Sequence, residues 1–300
     1  RTGKLLSRVQ STFFNLAGSN TNPKLQKLQR ELSPILSSHY DEIVLNKDLF
    51  LRVEILWKNK SNLDLTNEQL KLLDDTRKRF VRSGALLNDE QKEQITKINS
   101  KISELTTTFG QNLLAETNDF ELILSKNELE GLSESVINAA SEAAIQKMNK
   151  VESAEEKEKY KDKYVFTPHR TSMYPFLTES NRRELREKLY NSYIMRGDNN
   201  NKNDNKNIAA QIAKLRAEKA KLMGYKTHAH FVLEERMLKN PEEVYDLLIQ
   251  LWNPALKRAK LEVADMQTVV DNEGHEFKIA AWDWWQYSEK VRKEKYDLDE

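Results

Sequence analysis

A single stripe of apolar residues constrains the fold of this chain more than any other feature of its sequence. The stripe follows Asn88, a favourable helix N-cap, and Gln91, which stands three residues later in the capping-box position. Its members are Ile95, Ile98, Ile102, Leu105, Phe109 and Leu113. Steps of three and four residues keep these side chains on one face, so the segment is predicted to be one long amphipathic helix. Because the stripe covers too few heptads for a dimerisation zipper, we expect a hairpin with the preceding helical segment.

The same spacing of apolar residues recurs along most of the chain, and the composition agrees with it. Of 300 residues, 38% are hydrophobic and 32% are charged, with 8 Gly and 6 Pro, a mixture that favours helices over turn-rich β structure. Residues 120–124 and 164–167 have strand-like patterns and are predicted to pair as a small hairpin. We therefore predict an all-α fold, an elongated multi-helix domain with at most a minor β-hairpin.

Two regions are predicted, and the first ends with residues 151–163, which are dense in Glu and Lys and typical of an exposed helix end or a linker. The first is residues 1–163, a helical region that contains the long hairpin, and the second is residues 164–300. In the second region, residues 198–207 are Asn, Asp and Lys with almost nothing to bury, which predicts a solvated loop. Pro254 is predicted to interrupt or kink the long helix that begins at Pro241.

Charge and composition exclude several classes of partner. Lys and Arg number 48 against 47 Asp and Glu, a formal net charge of +1, which lacks the long-range field of a nucleic-acid binder. The sequence contains no apolar run near the ~20 residues of a spanning helix, so we expect neither a nucleic acid nor a membrane as a partner. With Cys 0, a disulfide framework is excluded. The chain starts at Arg1 and stops in a charged stretch, so we expect it to be a piece of a longer protein. The sequence does not assign the compartment, and cytoplasm is slightly favoured over periplasm.

Candidate chemistry is sparse in this sequence. Phosphate-binding loops need clustered glycines, and none are clustered here. His228 and His230 are two residues apart, so on a helix they would not share a face and a metal pair is disfavoured. His275-Glu276 resembles the start of the H-E-x-x-H zinc motif, but the fifth position is Ile279, and we interpret the dipeptide as chance. We therefore predict no catalytic residue and no metal ligand among these residues.

An aromatic cluster near the end of the chain leaves two interpretations open. Trp282, Trp284, Trp285 and Tyr287 could line a peptide-binding cleft or anchor a core between helices. The core interpretation is favoured because large aromatic side chains are mostly used for burial.

Several segments, taken in order, resemble one known family over nearly the whole chain. The densest matches are Leu222-Met223-Gly224-Tyr225, Pro241-Glu242-Glu243-Val244 and Trp282-Asp283-Trp284, and others lie at residues 13–16, 45–50, 129–132 and 181–186. Together they resemble the amino-terminal helical half of bacterial peptidyl-dipeptidases, members of the thimet oligopeptidase family of zinc metallopeptidases. No single motif is unique to that family, but the ordered set is specific.

The resemblance implies a peptidase whose catalytic chemistry lies outside these 300 residues. It implies an enzyme that removes carboxy-terminal dipeptides from short unstructured peptides, with this helical half forming a wall of the substrate channel. The family's H-E-x-x-H helix lies downstream of the Trp-Asp-Trp region, so zinc would be bound by the downstream half and this chain alone would be inactive. Two alternatives stay open: an oligopeptidase of the same family that cleaves internal bonds, and a non-enzymatic helical interaction module. Which residues contact substrate is not assigned.

Overall fold

The structure is a computed structural model that describes residues 3–296. Within that range it is helical, with one two-stranded antiparallel sheet in which Ile123 lies opposite Val165. The helices are α1 (Lys4–Ser19), α2 (Pro23–Val44), α3 (Lys47–Lys58), α4 (Asn67–Ser83), α5 (Asp89–Asp119), α6 (Glu134–Lys150), α7 (Ala154–Tyr160), α8 (Arg170–Glu179), α9 (Arg183–Ile194), α10 (Lys206–Leu222), α11 (His228–Leu233), α12 (Pro241–Asn272) and α13 (Trp284–Tyr296), and the strands are β1 (Leu122–Leu124) and β2 (Tyr164–Phe166). The predicted all-α fold with a minor hairpin is confirmed.

The long helix α5 begins as its sequence predicts. Asn88 Oδ1 accepts from the Gln91 N–H at 2.9 Å, and the Asn88 N–H donates to Gln91 Oε1 at 3.1 Å, which completes the capping box. Ile95, Ile98 and Leu105 of the predicted stripe are buried. The cap and the buried stripe together account for a helix of 31 residues. The expected hairpin with the preceding helix stays a prediction.

The chain divides into two compact units, each with its own core. Unit 1 comprises residues 1–111 and 205–243, and unit 2 comprises residues 112–204 and 244–300, in each case as far as the chain is described. In unit 1, Phe50, Phe80 and Ala85 form a buried cluster. In unit 2, the main cluster gathers the hairpin, α6, α8 and α9. The predicted boundary after residue 163 lies inside unit 2, between α7 and β2, and it stays a prediction.

Prolines and glycines mark where sequence patterns predict helices well and badly. Gly84 ends α4 with φ 108°, a left-handed conformation that side chains rarely adopt, so glycine is strongly favoured there. Pro254, by contrast, does not interrupt α12, which continues from Pro241 to Asn272. Helix α8 contains Pro175 and was not predicted.

No helix between residues 3 and 296 is both long and apolar enough to cross a bilayer.

Candidate functional site

The histidines that the sequence singles out do not assemble into a metal site. His275 lies in an extended segment, with its Nε2 3.7 Å from Glu273 Oε2 and its ring stacked on Phe277 at 5.4 Å between centroids. Because that segment is not helical, the one-turn spacing on which an H-E-x-x-H motif depends does not exist there. Among residues 3–296, no three His, Cys, Asp or Glu side chains are grouped so that they could hold a metal ion.

The histidine pair of α11 has local roles. His230 Nδ1 lies 2.8 Å from the Thr227 hydroxyl, at the start of the helix. His228 is partly buried, and burial, reinforced by the charges of Arg216 and Lys219, lowers the pKa of its ring. The two rings therefore have separate environments, and the donor set of the described chain does not fit zinc.

Two of the four residues of the aromatic cluster, Trp285 and Tyr287, pack against core clusters of unit 2, whereas Trp284 is 36% exposed. The Trp285 ring stacks on Tyr174 at 5.7 Å and lies 5.9 Å from Tyr190. Tyr287 is buried against Met266, Val269 and Val270 of α12. Its hydroxyl donates to Glu273 Oε2 at 3.2 Å, and burial together with that carboxylate raises the pKa of Tyr287 to about 12.

A buried ionic cluster joins α9 to the start of α13. Asp283 Oδ1 accepts from Arg186 at 2.8 Å and Oδ2 accepts from Arg183 at 2.9 Å, while Arg186 also donates to the Ser180 carbonyl at 2.7 Å. Asp283 is 0% exposed and Arg186 is 1% exposed. The spacing of apolar residues in α9 predicts that Arg186 is exposed. This prediction is wrong, because Arg186 is buried and pairs with Asp283, which lies 97 residues later in the chain. We name this group the Asp283 cluster.

A second buried carboxylate, Glu116 near the end of α5, organises the loop that the sequence predicts to be solvated. Glu116 Oε2 accepts from the Gly197 N–H at 2.5 Å and from Asn199 Nδ2 at 2.9 Å, and Oε1 accepts from Asn201 Nδ2 at 2.5 Å. Glu116 is 7% exposed. Residues 198–202 are exposed, as the predicted solvated loop requires, but Asn203 and Asn205 are buried, and amides of the loop fold back onto the Glu116 carboxylate.

Beside Glu116 lies a cavity of about 780 Å³, which we name the Glu116 cavity. It is lined by Glu116, Asp119, Phe120, Lys188, Asn191, Ser192, Met195, Asn199, Asn201, Lys202 and Asn203. The side chains of Lys188, Asn191 and Lys202 have no hydrogen-bond partner within the described chain. Free donors beside the apolar Phe120 and Met195 are the chemistry that an extended peptide requires, since its main chain offers carbonyls and its side chains offer apolar surface. Sequence reasoning missed this site because each of its residues alone is typical of a solvated helix face.

The first part of α12 presents an apolar surface of unit 2. Residues 247–256 contain no charged side chain. Leu251 is 58% exposed and Trp252 is 62% exposed, and Tyr245, Leu247, Leu248, Ile249 and Leu256 are exposed as well. Helical spacing places Asp246, Gln250 and Asn253 together on one side of the helix, and exposed apolar side chains cover most of the remaining surface. So wide an apolar face normally packs against other elements. We name residues 245–256 the α12 apolar segment.

Comparison with known proteins connects the chain to one family. The model of "Peptidase family M3" matches residues 176–300. Over 301 residues the chain is 33% identical to the "Dipeptidyl carboxypeptidase" of Escherichia coli (strain K12), covering 100% of this chain and 43% of that protein. The family-model match and the similarity over the whole chain support membership of peptidase family M3.

Two oligopeptidases are also similar along nearly the whole chain. The "Oligopeptidase A" of Haemophilus influenzae is 29% identical over 304 residues, covering 100% of this chain and 43% of that protein. The "Probable cytosolic oligopeptidase A" of Arabidopsis thaliana is 28% identical over 302 residues, covering 98% of this chain and 42% of that protein. The chain thus spans less than half the length of these relatives. The resemblance that the sequence carries is confirmed at the level of the family.

Proposed function

We propose that this chain is the helical, channel-wall part of an M3 zinc metallopeptidase that releases carboxy-terminal dipeptides from short oligopeptides. The observation that carries the proposal is the α12 apolar segment. Its residues are exposed on all sides although their composition is that of a core helix. In a protein of the relatives' length, the part without a counterpart in this chain would cover that segment.

Zinc and the catalytic groups belong, in this proposal, to that other part. M3 metallopeptidases generally use zinc, and the 300 residues contain no H-E-x-x-H string. Zinc, when bound there, would activate the attacking water. The residues of this chain would limit access by shape and contact the peptide.

We assign peptide contact to the Glu116 cavity. Lys188 and Lys202 provide unpaired ammonium groups, and Asn191 provides an amide with both donors and an acceptor. Glu116 would act indirectly, because its oxygens already accept three hydrogen bonds from the loop and so fix the wall of the cavity.

An activity assay tests the proposal. The 300-residue chain, supplied with zinc and short peptides, is expected to release no dipeptide, and the same protein extended to the relatives' length is expected to release dipeptides from the carboxy terminus. Metal-dependent hydrolysis by the 300-residue chain would contradict the assignment of the chemistry to another part.

A substitution in the α12 apolar segment tests whether the rest of the longer protein covers this segment. Leu251→Asp is expected to leave the stability of the 300-residue chain almost unchanged, because Leu251 already faces solvent, and to lower stability and peptidase activity of the extended protein. Met237→Asp is the matched control, since Met237 is 97% exposed. Equal tolerance of both substitutions in the extended protein would show that α12 is not covered.

The nearest alternative keeps the family and changes the specificity to internal bonds. It is favoured by the similarity to the oligopeptidase A proteins of Haemophilus influenzae and Arabidopsis thaliana. A peptide blocked at its carboxy terminus discriminates the two, because a peptidyl-dipeptidase needs the free end and an oligopeptidase does not. A non-enzymatic helical module would instead leave every peptide intact in both lengths of the protein.

A further inference from the structure

Unit 1 contains a charged cavity that plays no part in the proposed function. It has a volume of about 460 Å³ and is lined by Asp41, Arg79, Arg82, Ser83, Asn99, Lys219, Phe231 and Glu235. We name it the Lys219 cavity. Helices α2, α4, α5, α10 and α11 all contribute to its wall.

An asparagine holds the acid and the base of this cavity apart. Asn99 Nδ2 donates to Asp41 Oδ1 at 2.9 Å and to Oδ2 at 3.0 Å, and Asn99 Oδ1 accepts from Lys219 Nζ at 2.6 Å. This orientation of the amide is the one that satisfies both neighbours. Asp41 and Lys219 therefore bind the same amide rather than each other, and no carboxylate of the described chain lies within 4 Å of Lys219 Nζ.

The cations of the cavity are unequally paired. Arg82 is saturated, because it binds Glu234, contacts Glu235 at 3.2 Å and donates to the Phe231 carbonyl at 2.7 Å. Lys219 has only the neutral Asn99 oxygen, which leaves two of its three N–H donors unused. Arg79 has neither a hydrogen bond nor an ion pair within residues 3–296.

Burial disfavours the charged forms of both Asp41 and Lys219 in this cavity. Burial and the nearby Arg82 lower the pKa of Lys219 against the pull of Asp41, and burial raises the pKa of Asp41 despite its hydrogen bonds to Asn99. Both shifts disfavour the charged forms, so neither group fully compensates the other. An anion beside Lys219 would supply the compensation that the protein does not.

We propose that the Lys219 cavity binds one small oxyanion, a carboxylate or a phosphate, held between the Lys219 ammonium and the Arg79 guanidinium. Arg82, fixed by its acidic partners and by the Phe231 ring 4.3 Å from its Cζ, forms the wall and rejects larger apolar groups. The proposal concerns unit 1 alone, so it stands or falls independently of the peptidase activity.

Thermal unfolding of the 300-residue chain at constant ionic strength tests the site. Succinate and inorganic phosphate are titrated against chloride, and a saturable rise in Tm is expected with at least one of the two oxyanions. Stabilisation by both identifies a general oxyanion site, and stabilisation by one identifies which chemistry the cavity accepts. A response no larger than that to chloride would overturn the proposal.

Two variants with matched controls localise the effect. Lys219→Met and Arg79→Gln are each expected to weaken the oxyanion about 10- to 100-fold, as the loss of a charge-assisted hydrogen bond implies. Lys221→Met, on the exposed side of the same helix, and Arg52→Gln, exposed on α3, are expected to bind as the unaltered chain does. Should Lys219→Met fail to fold, Arg79→Gln still decides, because Arg79 is exposed and unpaired. Retained affinity in Arg79→Gln would overturn the proposal.

Discussion

Unit 2 contains two stretches of similar apolar character and opposite environment. In residues 266–287, Met266, Val269, Val270 and Tyr287 form a buried cluster, and Asp283 is the centre of the ionic cluster beside it. In the α12 apolar segment, about three to six turns earlier on the same helix, the apolar side chains face solvent. The difference teaches that an apolar sequence fixes which residues need covering, whereas the covering itself comes from other parts of a protein. We interpret the first stretch as the structural base of unit 2 and the second as a surface for the rest of the peptidase.

The largest effect is expected from the Asp283 cluster. Asp283→Asn removes the carboxylate that Arg183 and Arg186 share, and leaving a buried guanidinium unpaired costs about 3–5 kcal/mol. The measurement is the free energy of unfolding in urea. Asp265→Asn is the control, since its pair with Lys295 is partly exposed and is worth under about 1 kcal/mol. Similar losses for both variants would remove the distinction between the two stretches.

The next test compares two apolar truncations on α12 itself. Met266→Ala creates a cavity in the buried cluster and is expected to lower the free energy of unfolding by about 2–5 kcal/mol. Leu251→Ala, at a side chain of the α12 apolar segment that is 58% exposed, is expected to change it by less than about 0.5 kcal/mol. Urea titrations of the two variants in parallel measure the difference between their losses in free energy of unfolding. Equal losses would show that the first part of α12 is packed.

The buried cluster also predicts a dependence of stability on alkaline pH. The pKa of Tyr287 is raised to about 12, so the folded chain keeps this proton after the unfolded chain releases it near pH ~10. The contribution of Tyr287 is therefore complete below that pH and is lost as the pH rises towards 12, by on the order of 2 kcal/mol. Tyr287→Phe is expected to flatten this part of the stability profile. An unchanged profile would mean that Tyr287 is not buried as described.

The smallest effect on stability is expected for a substitution within the α12 apolar segment. Trp252→Ser in the 300-residue chain is expected to change the free energy of unfolding by less than about 0.5 kcal/mol, because the ring already faces water. The same substitution should reduce binding of a fluorescent apolar dye to the folded chain. Strong destabilisation without loss of dye binding would place Trp252 in a core instead.

Local signals in the sequence predict a large part of the fold. The Asn88 capping box and the Gly84 terminus follow from rules about neighbours within a few residues. The two strands at residues 122–124 and 164–166 each have a local strand pattern, and they pair as expected. Helix α8 was missed because Pro175 reads as a break when only propensity is considered. Propensity is a weak prior, and tertiary packing of Met173, Phe176 and Leu177 overrides it here.

The sites could not be predicted in the same way, because their partners are distant in sequence. Glu116 and Arg186 each look like ordinary charged residues on a helix face, and they become buried only through groups 81 and 97 residues away. The Lys219 cavity likewise depends on Asn99, which stands 120 residues before its lysine. The family resemblance carries the functional reading of the sequence. The uncharged run of residues 247–256 was not singled out, because nothing within the run indicates whether other residues cover it.

The central claim is that this chain is the wall of a metallopeptidase whose zinc-binding part lies elsewhere in the same protein. Determining the coding sequence beyond the codon for Glu300 tests it most directly. We predict an H-E-x-x-H motif downstream, followed by a glutamate a few helical turns later that completes the zinc site. A stop codon close to Glu300 would contradict the claim, and the α12 apolar segment would then have to be explained by a partner of another kind.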